Sequence, residues 1–135
     1  MKSIERAGPL RSARKHGGHM TIEQKTDVEI LEIANPIMDN LMEASTRIDF
    51  AGHTRDFTER LKAIVTKEYL EKVCRKYQEE KGFFSQREFV ALFRRPGAVA
   101  VVWKQGFTKK EGEFVAEILI VEQGSRFLVD HVLVW

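Results

Sequence analysis

The spacing of apolar residues predicts that the chain begins with helices. Between residues 21 and 48, apolar residues recur at the three- and four-residue intervals of a helix that buries one face. Pro36 is expected to end or kink this pattern, or to open a new helix with Asn35 as its N-cap. The pattern breaks at Gly52. Two shorter helices are predicted after it, and the second is expected to end at Gly82.

The second half of the chain has the pattern of a β-sheet. Four segments are rich in Val, Phe, Ile and Trp: REFVALFRR, AVAVVWKQGF, EFVAEILIVEQ and RFLVDHVLVW. They are separated only by Pro96-Gly97, residues 108–112 and Gly124-Ser125. Connections this short require antiparallel neighbours. We therefore predict one α+β domain over residues 20–135, with N-terminal helices on one face of a curved four-stranded antiparallel meander.

Two assumed turns give a strand register. A two-residue turn at Gly124-Ser125 pairs Gln123 with Arg126, which sets Ile118 opposite His131. Pairing Phe107 with Phe114 across the preceding loop sets Trp103 opposite Ile118 and Lys104 opposite Glu117. Because side chains alternate between the faces of a strand, the adjacent Asp130 and His131 cannot form a catalytic pair without a bulge. Asp130 is expected near Lys104 and Glu117, in a structural role.

One predicted face is aromatic, and the helices are expected to cover it. Its candidate ligand-pocket residues are Trp103, Gln105, Phe114, Ile118, Phe127 and His131. His131 is the candidate catalytic residue, since a partly desolvated neutral imidazole can act as a base or hydrogen-bond partner near neutral pH. The alternative is a core histidine that bonds to a helix.

The opposite predicted face is also apolar. It carries the candidate dimer residues Val102, Val115, Leu119, Val132 and Val134. An apolar patch of this size is typical of a partner surface, and a symmetric homodimer is the commonest way to cover one. The alternative is a β-branched sheet face exposed to water.

Charge and composition narrow the function classes. The total charge is +2, but residues 1–19 carry five basic residues and one acidic residue, which leaves −2 for the rest. This basic segment is expected to be disordered. An expression leader that ends near Met20, a flexible native arm, and a transit peptide or nucleic-acid arm are the alternatives. The single cysteine, Cys74, excludes an internal disulfide and favours a cytoplasmic, reducing compartment; it is expected to pack in the core.

The order of the elements resembles the cystatin-like fold of the nuclear-transport-factor-2-like superfamily, which includes ketosteroid-isomerase-like and polyketide-cyclase-like (SnoaL-like) proteins. The resemblance covers residues 35–135, and STRIDFAGHTRDFTERL and the closing RFLVDHVLVW carry it. It implies a conical cavity between helices and sheet, and dimers through the outer sheet face. It also directs attention to Asp49, His53 and Tyr69 as residues at the cavity mouth. The predicted inward face has no carboxylate, which departs from the steroid-isomerase pattern.

Several other chemistries have no support in the sequence. The glycines are spaced as turns and not as a phosphate loop, and no His, Cys and carboxylate spacing predicts a metal site. No cofactor, nucleic acid or membrane is expected as a partner. No motif specifies a reaction, so enzymatic activity stays open. Two hypotheses remain. In the first, the protein binds a small apolar ligand in a pocket, either as a simple binder or as a cofactor-free isomerase or cyclase. In the second, it is a non-catalytic association module.

Overall fold

The structure, a computed structural model, describes residues 20–135, so the expectations for the basic leader lie outside the described residues. After a short 3-10 helix at Ile22–Gln24, four α-helices follow: α1 (Asp27–Arg47), α2 (Phe50–His53), α3 (Glu59–Ile64) and α4 (Lys67–Lys81). The strands are β1 (Phe84–Arg95), β2 (Ala98–Phe107), β3 (Phe114–Gln123) and β4 (Arg126–Val134). Within this described part, no helix has the length and apolar character needed to cross a membrane.

Helix α1 continues through Pro36, so the expectation that one helix ends or another begins there is wrong. Proline removes one backbone hydrogen bond and crowds the preceding turn, which normally disfavours a helix interior. Here the apolar face continues on both sides of it: Ala34 and Met38 are fully buried, whereas Pro36 is exposed. Burial of this continuous face outweighs the local penalty. The helix ends instead at Arg47, and the next residue, Ile48, caps it with a left-handed φ of 53°.

The sheet confirms the predicted α+β class. All neighbouring strands are antiparallel, and their order is β1-β2-β3-β4, as in a meander. The helices and the inward sheet face share one core, in which Ile30, Met38, Val101, Ile118 and Val129 are fully or almost fully buried.

The pairing of β2 with β3 differs from the prediction by two residues. Gln105, not Phe107, pairs with Phe114, so Lys104 lies opposite Val115 instead of Glu117. The Lys104 ammonium lies 3.3 Å from Glu113 and 3.9 Å from Glu88. Because a slip of two preserves the alternation, every β2 and β3 residue still lies on its predicted face.

A bulge in β4 changes the second pairing. The predicted pairs hold from Gln123 with Arg126 to Ile120 with Val129, but then Leu119 pairs with His131 and Asp130 is left as the extra residue. One extra residue reverses the facing of everything after it. His131 therefore lies on the outer face beside Leu119, and the predicted inward facing is wrong.

Candidate functional site

A cavity of about 290 Å³ lies between α4 and the last strand of the sheet. Its walls are mainly apolar, with a few polar groups. Its lining consists of Ser45, His53, Val65, Tyr69, Leu70, Val73, Cys74, Lys76, Tyr77, Glu80, Lys81, Phe84, Phe107, Val132, Leu133 and Val134. This volume lies at the lower end of the range for small-molecule sites.

The packing of α4 leaves this cavity open. Leu70 and Cys74 are buried and fix the helix against the core. Tyr69 and Val73, one residue earlier in each turn, also line the cavity but stay exposed. Because these apolar side chains do not fill the space between α4 and β4, their surfaces are available to a ligand.

His53 is the buried histidine of this site. It is the last residue of α2, which is capped by the Asp49 side chain, and its ring packs edge-on against Phe57 with centroids 5.4 Å apart. The residue is only 8% exposed. Within residues 20–135 no hydrogen-bond partner reaches its ring, and Nδ1 is enclosed and unpaired. An unpaired buried polar group is unfavourable, so a ligand oxygen beside this ring would remove a penalty.

Ser45 joins α1 to α4 at the cavity wall. Its hydroxyl lies 2.7 Å from the Tyr77 hydroxyl and 3.2 Å from the Cys74 thiol, within hydrogen-bond distance of both. Gln78 also donates to Tyr77. These contacts satisfy the polar atoms internally, which indicates that they position α4 and are not free for a ligand.

Three groups that line the cavity have shifted pKa values, and each shift is away from pH 7. Burial lowers the pKa of His53 to about 4, because the charged imidazolium is poorly solvated there. Burial raises the pKa of the Cys74 thiol and of the Tyr77 hydroxyl, and this outweighs the opposing hydrogen bonds from Ser45. At pH 7 all three groups are therefore neutral.

Three predicted pocket residues on β2 and β3 are packed inside the core. Trp103 and Ile118 are almost fully buried, and the Trp103 indole donates to Asn35. The Gln105 amide donates to the carbonyls of Ser85, Gln86 and Gly106, where β1 is irregular. These three side chains contribute to the core next to the cavity and do not line it.

The remaining predicted pocket residues lie in different places. Tyr69 lines the cavity, as the resemblance suggested, and so does His53. Phe114 contacts Phe107 at the cavity end, and Phe127 packs against the opposite end of the core. Asp49 caps α2 through Gly52 and does not line the cavity.

His131 forms a separate polar group on the outer face. Its Nε2 lies 2.8 Å from Glu117, and the other carboxylate oxygen of Glu117 accepts from the Trp135 indole. Burial raises the pKa of Glu117, but the hydrogen bonds from His131 and Trp135 outweigh it, so the net shift is downward. The catalytic role given to His131 stays a prediction. His131 lines a separate recess of about 310 Å³ on the outer face, with Arg95, Val102 and Leu119, and not the α4 cavity.

The bulge also divides the predicted dimer residues. Val102, Val115 and Leu119 lie on the outer face and are half-buried. Val132 and Val134 pair with inward-facing residues of β3 and line the cavity. The predicted outward facing of these last two residues is wrong, for the same reason as that of His131.

Sequence reasoning missed the Ser45, Cys74 and Tyr77 cluster as a polar contact. Ser45, Cys74 and Tyr77 each fall at helical spacing with apolar residues of their own helix. This was a signal, since a serine and a tyrosine on a buried helix face require hydrogen-bond partners. Their meeting depends on how α1 and α4 cross, which spacing alone does not specify. Among the described residues, no group of three or more His, Cys, Asp or Glu side chains could hold a metal ion.

Comparison with known proteins gives only structural similarities. No protein-family model matches the chain, and no curated protein matches it. A DUF4783 family protein from Bacteroides ovatus is similar with a TM-score of 0.44 and 10% identity, over 70% of this chain and 90% of that chain. Bdellovibrio bacteriovorus Bd1075 is similar with a TM-score of 0.49 and 8% identity, over 81% of this chain but only 42% of that one. Neither similarity carries an argument about function.

Proposed function

We propose that this protein binds a small, mainly apolar ligand in the cavity between α4 and the sheet. Apolar walls supply most of the affinity, and the His53 imidazole supplies one directional hydrogen bond. The nuclear-transport-factor-2-like resemblance supports a pocket between helices and sheet, although the cavity lies nearer to α4 than the sequence predicted.

The observation that carries this proposal is the unpaired imidazole of His53. Buried polar groups in folded proteins nearly always have a partner, and an exception needs an explanation. His53 lines the cavity, the residue is 8% exposed, and no side chain or backbone group in 20–135 bonds to its ring. Because Nδ1 is enclosed, a ligand with a hydroxyl or carbonyl oxygen would provide the missing partner after a small shift of the ring or its neighbours.

Binding fits the cavity better than isomerase-like or cyclase-like proton transfer. Efficient general acid or base catalysis needs a pKa near the working pH. His53 has a pKa of about 4, and burial raises the pKa of both Cys74 and Tyr77. These three groups can donate or accept hydrogen bonds at pH 7, but they are poorly matched to moving protons.

A thermal-shift titration of the full chain with octanol and related small alcohols and ketones tests the proposal. Such ligands are expected to raise the unfolding midpoint, and the shift should grow with the logarithm of ligand concentration above the dissociation constant. His53→Phe keeps the ring packing against Phe57 but removes both nitrogens. It is expected to weaken binding by about three- to tenfold, the value of one neutral hydrogen bond.

The matched control for this experiment is His131→Phe, the same substitution on the outer sheet face. It should leave the affinities unchanged, because His131 does not line the cavity. The proposal is wrong if no such ligand stabilises the protein, or if the two histidine variants behave alike.

A second candidate function, association through the outer sheet face, is favoured by exposed apolar side chains there. Phe93, Leu133 and Trp135 are 57%, 46% and 61% exposed, and a twofold-related copy of the chain would cover them. We propose a homodimer through this face.

Sedimentation equilibrium measures the dimer dissociation constant. Phe93→Glu should weaken dimerisation about tenfold or more. Phe83→Glu, a substitution before β1, is the control and should leave the dissociation constant unchanged. A monomer at all concentrations would exclude the homodimer.

A further inference from the structure

The Lys81 side chain is the starting point, because it is a half-buried cation at one end of the cavity. It is the last residue of α4, and its ammonium lies 5.8 Å from the Phe107 ring centroid and 5.7 Å from that of Phe114. Within residues 20–135 no carboxylate lies within ion-pair distance of it. Arg87 of β1, in contrast, contacts Asp39 at 2.6 Å.

The charged residues that line the cavity have a net positive charge. Lys76 and Glu80 also line the cavity, and both are exposed, so water screens them. Lys81 is less exposed than either and is held over two aromatic faces, which stabilise a cation only in part. The cavity therefore combines apolar walls with two lysines that have no ion pair within residues 20–135, and Lys81 is the less exposed of the two.

The lining residues of α4 give the cavity an elongated shape. Tyr69, Val73, Tyr77 and Lys81 recur at every fourth position and so follow one another along a single helix face. Twelve residues of helix correspond to about 18 Å. The apolar wall thus runs along α4 and ends at the Lys81 ammonium.

We propose that the ligand is an amphipathic anion, with an apolar body along α4 and a carboxylate or similar oxyanion group at Lys81. This inference rests on the proposed ligand-binding function and specifies the ligand class. The volume of about 290 Å³ accommodates roughly ten non-hydrogen atoms, at the share of about 30 Å³ that one water occupies in the liquid. Octanoate has this size and charge and is a suitable minimal probe.

The test is calorimetric titration of the full chain with octanoate, octanol and octylammonium, which share one tail and differ in charge. Lys81→Gln is expected to weaken octanoate about two- to fivefold, the range of a partly exposed ion pair. It should leave octanol unchanged and strengthen octylammonium. Added salt should weaken octanoate binding to the wild type more than to the variant. Lys72→Gln, an exposed position of α4 outside the cavity, is the matched control and should change none of the three.

The possible outcomes distinguish a failure of this inference from a failure of the proposed ligand binding. If octanol binds in a His53-dependent way but Lys81→Gln affects octanoate and octanol equally, the inference that the ligand is an anion is wrong. The proposed ligand binding in the cavity is then still supported. If Lys72→Gln weakens octanoate as much as Lys81→Gln does, only general surface charge is involved and the inference fails. If none of the three probes binds, the proposed function fails, and this inference fails with it.

Discussion

Acidifying the protein from pH 7 to pH 5 is expected to reduce its free energy of unfolding by about 2 kcal/mol through His53 alone. Burial lowers the folded-state pKa of His53 to about 4 from an ordinary value of 6.5. Between these values the unfolded chain binds a proton at this residue and the folded protein does not. Falling pH therefore favours unfolding, and the stabilisation by neutral His53 is lost through this window.

Urea unfolding at pH 7, 6 and 5 measures this effect. His53→Phe should have a shallower pH dependence than the wild type. Tyr69→Phe, which alters another cavity residue but keeps the histidine, should retain the wild-type dependence. Carboxylates with lowered pKa values, such as Glu117 and Asp130, titrate below this window. Equal slopes for the wild type and His53→Phe would show that His53 is hydrated and that the account of the cavity is wrong.

Replacing Asp130 with alanine is expected to destabilise the protein by about 1–3 kcal/mol. The Asp130 carboxylate accepts from the Thr58 hydroxyl at 2.7 Å and from Arg60 at 3.0 Å, and Arg60 also donates to the Asp130 carbonyl. Thr58 is buried, and its hydroxyl caps α3 by accepting from the Leu61 amide. Without the carboxylate, the Thr58 hydroxyl has a donor hydrogen with no partner.

Urea unfolding at pH 7 also measures this substitution. Asp130→Asn keeps one acceptor oxygen for Thr58, so its free energy of unfolding should fall by less than that of the alanine variant. Asp56→Ala is the control: its carboxylate lies 3.5 Å from both Arg55 and Arg126, which are exposed partners, so its loss should stay under about 1 kcal/mol. If Asp130→Ala costs no more than Asp56→Ala, the bulge is not held by these contacts.

Local sequence patterns were sufficient to predict the strands and the face of the sheet on which each β2 and β3 residue lies. Alternating apolar residues and the turns at Pro96-Gly97 and Gly124-Ser125 predicted all four strands to within a few residues. The register error between β2 and β3 was harmless because it was an even number of residues. These features depend on neighbours in sequence, which is why the sequence alone predicts them.

The errors concern contacts between distant residues. The bulge at Asp130 is held by Thr58 and Arg60, about seventy positions earlier, and nothing in the alternation of RFLVDHVLVW indicates it. That one residue moved His131 to the outer face and Val132 to the cavity. Likewise, the cavity exists because α4 packs through Leu70 and Cys74 and leaves Tyr69 and Val73 uncovered. The sequence predicted this helix but not its distance from the sheet.

A methyl-resolved NMR titration of the full chain with octanol tests the central claim most directly, because it locates the ligand. Binding in the cavity should shift the methyl signals of its apolar walls: Val65, Leu70, Val73, Val132 and Val134. The outer-face methyls of Val102, Val115 and Leu119 should remain unchanged. Shifts confined to the outer-face methyls, or no shifts up to the solubility limit of octanol, would contradict the account.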